Sequence, residues 1–283
     1  MVFFKINGAG NDFIVFNNMK KQIPEEKLSP LTKKLCERHL SIGADGVMFM
    51  EEAANADITM RIFNADGSEA ETCGNGMRCA ARYAWEEKLA GNPIRMQVKA
   101  GYVEIERLSQ REYRVRLQDI SHMGSETRVT VNGREYSYTY VEIGNPSVPH
   151  IVVPLKGMSK IDREILFRDG QSLRYHSNFP KGANVNYCEV TGDNTADVLT
   201  YERGVEAFTY ACGTGSASVA AVLRLQNIVK SDTVTLKVPG GLLKVELVRK
   251  NKDSSSFNDI ELYQTGDTNI VCRGEVLDED YVF

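Results

Sequence analysis

A chain of 283 residues, 42% apolar and 25% charged, has the make-up of a soluble globular protein, long enough for two domains with a core in each. Its 34 basic and 38 acidic residues leave a formal charge of -4 with no run of like sign, which argues against nucleic-acid or anionic-membrane partners. No stretch approaches the roughly 18 consecutive apolar residues of a membrane span. Met1-Val2-Phe3-Phe4-Lys5 opens in a strand-like pattern without a signal-peptide layout, so the cytoplasm is the expected compartment.

Along the chain, Ser29-Pro30 reads as the N-cap and first residue of a helix with Leu31, Leu35 and Cys36 on one face. Cys73-Gly74-Asn75-Gly76 opens a second helical segment. Tyr102 to Leu108 and Tyr113 to Leu117 alternate apolar and polar residues, as strands do. Val129-Thr130-Val131 and Tyr136-Ser137-Tyr138 flank Asn132-Gly133, a two-residue hairpin signal. Asn184 to Val190 continues the strand pattern. Cys212-Gly213-Thr214-Gly215 then opens a helix that is small or apolar on nearly every side from Ala217 to Leu225, hence a buried one. Val234 to Val238 is a further strand.

No low-complexity stretch or Pro/Gly-rich linker divides the chain, but it repeats itself. The CGxG segment at Cys73 returns at Cys212, and Ala100-Gly101-Tyr102-Val103 is answered by Gly240-Gly241-Leu242-Leu243 at almost the same offset. The shared order of strand, CGxG, helix and strand predicts an α+β fold of two pseudo-symmetric domains. Each would be a curved mixed sheet wrapped round a central helix, with an active site in the cleft between them. The expected domains are 1–117 with the returning segment 265–283, carrying Cys73, and 118–264, carrying Cys212.

Six cysteines, at 36, 73, 79, 188, 212 and 272, form no CxxC pair, and Cys36 with His39 lacks the second half of a zinc site. No metal is therefore expected, and a disulfide framework does not suit a reducing cytosol. Four of the six read as small buried hydrophobes. Cys73 and Cys212 differ, because a thiol at a helix N-terminus meets the positive end of the backbone dipole, which favours the thiolate. Glycine at the second and fourth positions lets the backbone approach a ligand, and the exposed N–H groups suit a carboxylate or phosphate. Two such sites facing a small acid suit two-base proton transfer at one carbon, a thiolate on one face and a thiol on the other.

Lys5-Ile6-Asn7-Gly8-Ala9-Gly10-Asn11-Asp12-Phe13, Gly43-Ala44-Asp45-Gly46 and Phe63-Asn64-Ala65-Asp66-Gly67-Ser68-Glu69 resemble the diaminopimelate epimerase family. So do Cys73-Gly74-Asn75-Gly76-Met77-Arg78-Cys79, Gly182-Ala183-Asn184-Val185-Asn186, Glu202-Arg203-Gly204 and Ala211-Cys212-Gly213-Thr214-Gly215. The resemblance implies conversion of LL-2,6-diaminopimelate to the meso isomer, a small-molecule amino-acid substrate, and no cofactor, neither pyridoxal phosphate nor metal. It makes Cys73 and Cys212 the base and acid. Gly74, Asn75, Gly213 and Thr214 would hold the carboxylate at the reacting carbon. Asn11, Asn64, Asn184, Glu202 and Arg203 would fix the amino and carboxylate groups, those of the distal centre included. A homodimer is left open.

The chain departs from the family pattern at three points. The usual Gly-Asn-Pro-His is Gly144-Asn145-Pro146-Ser147, with a histidine only at His150. Either Asn145 contacts substrate and Ser147 replaces the histidine, or His150 fills that auxiliary role and Val148 replaces the asparagine; a His150 that is simply packed is the remaining reading. The offset that carries Cys73 onto Cys212 also carries Asn11 onto His150, and so leans to the second. Phe208-Thr209-Tyr210 stands where Glu-Thr is common, and Asn7 where His or Gln is usual. These changes bear on the substrate, so a racemase of another amino acid such as histidine is the alternative. A thiol redox protein would want its cysteines close in sequence, and a non-catalytic amino-acid-binding module has no need of two activated thiols.

Overall fold

The computed structural model describes residues 1–251 and 256–277; residues 278–283, part of the segment assigned to the first domain, lie outside the described residues. The chain divides into two compact units, Met1–Val115 completed by the residues from Thr265 onward, and Arg116–Gln264. The first unit runs β1 (Val2–Gly8), β2 (Asn11–Asn17), α1 (Glu25–Cys36), β3 (Gly46–Glu51), β4 (Ile58–Asn64), β5 (Glu69–Ala70), α2 (Gly74–Glu86), β6 (Ile94–Val98), β7 (Gly101–Arg107) and β8 (Glu112–Arg116). The second runs β9 (Ile120–Met123), β10 (Thr127–Val131), β11 (Arg134–Ile143), β12 (Val148–Pro154), α3 (Arg163–Arg174), β13 (Asn184–Gly192), β14 (Thr195–Glu202), β15 (Ala207–Phe208), α4 (Gly213–Leu225), β16 (Thr233–Val238) and β17 (Gly241–Arg249). After β18 (Ile260–Asp267), β19 (Asn269–Glu275) pairs antiparallel with β1.

The duplication is visible in the ladders. In the first unit β1–β2 is antiparallel, β2–β3 parallel, β3–β4 and β4–β5 antiparallel, β4–β6 parallel and β6–β7 antiparallel. In the second, β11–β12, β12–β13, β13–β14, β14–β15, β14–β16 and β16–β17 follow in the same order and senses. Each parallel pair needs a crossover, and helices supply it: α1 and α2 in one unit, α3 and α4 in the other. The fold is α+β and dominated by mixed sheet.

Each sheet curls round its CGxG helix. α2 packs on β1, β2, β3, β4 and β7, and α4 on β11 to β14, β16 and β17. Residues 75–84 of α2 and 215–223 of α4 are all buried. α1 covers the other face of its sheet, where Leu28, Leu31 and Leu35 meet Ile14, Phe16, Val47, Phe49 and Phe63. Since side chains alternate along a strand, Phe13, Val15, Met48 and Met50 fall to the opposite face. β2 and β3 are thus apolar on both faces and show no alternation.

The Asn132-Gly133 hairpin forms with both residues left-handed, at φ 49° and 75°, and Val131 opposite Arg134. Its turn twists with the strands it joins. The Ser29-Pro30 expectation is corrected: α1 starts at Glu25 after Pro24, and Pro30 lies inside it. Pro30 forfeits only the bond to Glu26 O, while Leu28, one turn before Leu31 and Thr32, extends the buried stripe upstream. Burial of that stripe outweighs the lost bond.

Candidate active site

Cys73 and Cys212 are the N-cap residues of α2 and α4, both with extended backbones. That conformation turns each sulfur back over the first turn, where Sγ accepts from Gly76 N and Gly215 N, 3.4 Å away in both cases. Sulfur here holds a position that Ser, Thr, Asp or Asn usually fills. The first full-turn helical bonds run from Met77 N to Cys73 O, 2.8 Å, and from Ser216 N to Cys212 O, 2.9 Å. The N–H groups of Gly74, Asn75, Gly213 and Thr214 precede those bonds and stand at the positive helix ends, suited to an anion. The fourth-position glycines serve a different end from ligand approach. A Cβ on Gly76 would stand 2.9 Å from Ile62 Cδ1, and one on Gly215 would overlap Asn186 Oδ1. Their missing side chains let the helices press onto β4 and β13.

In the first unit Asn11, at the start of β2, accepts from Asn75 Nδ2 at 2.5 Å and donates to Asp45 Oδ2 at 3.1 Å. Asp45 follows the loop after α1, and Arg38 bridges it to Asp12 at 2.9 and 2.7 Å. Lys5 also pairs with Asp12, at 2.6 Å. Arg38 and Lys5 hold the Asp12 carboxyl below its ordinary range, against the burial that pushes it up as the largest single influence. Asn64 ends β4, exposed, with its amide donating to Ser68 Oγ at 3.0 Å. The structure therefore brings Asn11 and Asn75 together and leaves Asn64 on the turn into β5.

The second unit repeats the first contact with other residues. Thr214 is the repeat counterpart of Asn75 and His150 that of Asn11, and His150 Nε2 lies 3.0 Å from Thr214 Oγ1. Asn186 Oδ1 accepts from Thr200 Oγ1 at 3.0 Å, so its Nδ2 faces Ile151 O at 3.0 Å and His150 Nδ1 at 3.3 Å. An amide nitrogen only donates, which makes Nδ1 the acceptor and assigns the ring proton to Nε2. Thr214 then receives from His150, and its own hydroxyl proton is available to Cys212 Sγ, 3.7 Å away. Asn145 sits exposed in the β11–β12 turn, whereas His150 is wholly buried beside Thr214.

Burial, followed by the nearby Arg203 charge, pushes the His150 pKa down to about 3, so the ring is neutral. Because the folded value lies below the unfolded one, the unfolded chain binds the extra proton between about pH 6.5 and 3. Stability from this group is complete above pH 6.5 and drains away as pH falls to about 3. Wild type should lose about 3 kcal/mol more than His150→Gln between pH 7 and 4, read from urea midpoints. Equal losses in the two proteins would refute this assignment.

Asn184 opens β13, buried, and its Oδ1 accepts from Arg203 N at 2.7 Å. The Arg203 guanidinium donates to Lys181 O at 3.0 Å, and the loop behind it is pinned where Gly204 N and Arg174 meet Glu206 Oε1 at 2.9 and 3.1 Å. Glu202 ends β14, half-buried. Phe208, one of the departures from the family pattern, packs edge-on against Phe167 and Tyr201 at 5.7 and 6.1 Å. It is partly buried against the aromatic cluster beside α3.

Of the four other cysteines, three are buried as expected; burial pushes Cys36 up to about 11 and Cys188 to about 12, and raises Cys79 further. Cys272 corrects the expectation, being exposed on β19, whose residues are mostly solvent-facing. Among the described residues no group of three or more His, Cys, Asp or Glu could hold a metal ion, and no helix is long and apolar enough to cross a membrane. Asp45, Arg78 and Asn186 stand within the sequence motifs, where nothing in their neighbourhood signals a role. The structure makes all three hydrogen-bond partners of site amides or of His150.

Residues 3–128 and 139–271 match the family model described as diaminopimelate epimerase. The diaminopimelate epimerase of Methanothrix thermoacetophila is 37% identical, over 98% of this chain and 96% of its own. That of Aquifex aeolicus is 34% identical over 99% of both. Among solved structures, a PhzF-family phenazine biosynthesis protein from Bacillus anthracis superposes with a TM-score of 0.75 at 16% identity, over 98% of this chain and 99% of that one. A probable proline racemase from Agrobacterium radiobacter K84 gives 0.69 at 15%, over 99% and 94%. At those identities the two structures speak for the fold alone.

Proposed function

Because the chain belongs to the diaminopimelate epimerase family, we propose that it inverts one α-carbon of LL-2,6-diaminopimelate to give the meso isomer. The observation that carries the mechanism is the pair of cysteine N-caps, each with two backbone N–H groups beside it that no helical bond uses. A thiolate at one helix takes the α-proton and becomes a thiol. The thiol at the other gives its proton to the opposite face of the carbanion and becomes a thiolate. Protons balance, and each turnover leaves the two sulfurs in exchanged states.

The carboxylate at the reacting carbon is placed on Gly74, Asn75, Gly213 and Thr214 N–H, where negative charge that builds up in the carbanion is also stabilised. Asn11 offers one N–H and one lone pair to the amino acid. His150 acts behind Thr214, keeping its hydroxyl proton turned to Cys212. Arg203, with Asn64, Asn184 and Glu202 in support, serves the distal centre. The name carried by the relatives favours diaminopimelate over the alternative of a histidine racemase. Six cysteines without a disulfide suit the cytoplasm as its compartment.

The test is a panel of amino acids incubated with the protein in deuterium oxide without added pyridoxal phosphate or metal. Diaminopimelate should gain deuterium at an α-carbon as the meso isomer accumulates, and histidine should not. Exchange into histidine alone would overturn the substrate, and dependence on pyridoxal phosphate would overturn the mechanism.

A further inference from the structure

Arg78 is completely buried in α2, its Nη2 donating to Asn75 Oδ1 at 2.6 Å and its Nη1 to Gly74 O at 3.3 Å. A buried guanidinium is costly, and an apolar side chain of similar size would often serve stability as well or better. The other CGxG helix shows as much: Ala217, the repeat counterpart of Arg78, occupies the matching position of α4 and is equally buried. The charge is therefore not needed to build such a helix.

What it does locally follows from donor and acceptor types. Guanidinium only donates, so Asn75 must turn Oδ1 to it and Nδ2 away, towards Asn11 Oδ1. An ionised carboxylate only accepts, so Asn11 must turn Nδ2 to Asp45. The line Arg78–Asn75–Asn11–Asp45 is thus fixed from both ends by charges. Flipping either amide would set N–H against N–H or oxygen against oxygen. At its far end, Arg38 clamps Asp45.

We propose that Arg78 is a positioning residue for the reaction: by holding Asn75 Oδ1 it sets the one N–H and one lone pair that Asn11 turns to the substrate. The inference rests on the epimerase reading above. In the second unit neutral Asn186 does the equivalent work through His150.

The test is a double-mutant cycle on diaminopimelate with Arg78→Lys, Asn75→Ala and the pair, with Arg78→Met as the harsher change. Lysine keeps the charge but not the fork. Arg78→Lys should lower kcat/KM about tenfold in the wild-type background and less than twofold in Asn75→Ala, because its target is already gone. Equal losses in both backgrounds, or an Arg78→Lys enzyme as active as wild type, would overturn the proposal. Side-chain amide resonances give a reading independent of turnover. The Asn11 and Asn75 Nδ2 protons should be well separated and slow to exchange in wild type, and lose both properties in Arg78→Lys. Unchanged resonances would also overturn it. A wild type that exchanges no α-proton would sink the epimerase reading instead, and the resonances would still decide what Arg78 orients.

Discussion

Cys73→Ala and Cys212→Ala should each lose net inversion by roughly a hundredfold to ten-thousandfold, the contribution of a positioned acid or base, since neither sulfur can serve the other's face. The fold should survive. What alanine removes is an N-cap acceptor for Gly76 N or Gly215 N, a change that costs about 0.5–2 kcal/mol. Serine is the sharper probe, because its hydroxyl restores the cap and donates a proton but is too weak an acid to supply the base. Cys→Ser enzymes should therefore regain stability without regaining turnover. Chiral chromatography follows inversion and mass spectrometry in deuterium oxide follows exchange. Either alanine variant inverting diaminopimelate near the wild-type rate would end the two-base scheme.

The legible parts of this chain were those written in local conformation or in the repeat. Asn132-Gly133 announces its turn because both positions need φ above zero. α4 announces its burial because it has no polar face. The internal repeat makes His150 the counterpart of Asn11, and the structure then sets His150 against Thr214 as it sets Asn11 against Asn75. Other features were hidden because tertiary contacts decide them. β2 and β3 are covered on both faces, so alternation disappears where the sheet is most buried. Pro30 reads as a helix start until the burial of Leu28 moves the start a turn upstream. Asp45, Arg78 and Asn186 look like ordinary motif residues, since nothing in sequence says which amide each will face. Parallel neighbours β2–β3 and β12–β13 bring Asp45 to Asn11 and Asn186 to His150 across a whole intervening helix in each unit.

Arg203→Ala should show which substrate the protein is built for. Its backbone N–H is held by the buried Asn184 and one guanidinium N–H by Lys181 O. A guanidinium carries five N–H groups, so the side chain is anchored and still able to grip a carboxylate through two of them. Diaminopimelate has a distal carboxylate that requires such a partner, and histidine has none. Losing one side of a desolvated charged contact costs about 2–5 kcal/mol, which is roughly 30-fold to several thousand-fold in kcat/KM. Arg203→Lys should recover only part of this, because a point charge cannot reproduce the fork. The loss should fall mainly on diaminopimelate, with any slow exchange into amino acids lacking a second carboxylate changing severalfold at most. The measurement is a pair of kinetic series, wild type and Arg203→Ala, on diaminopimelate and on histidine. Equal losses on both substrates would place Arg203 at the α-carboxylate or in the scaffold. A wild type that ignores diaminopimelate and racemises histidine would remove the substrate assignment and leave the cysteine chemistry standing.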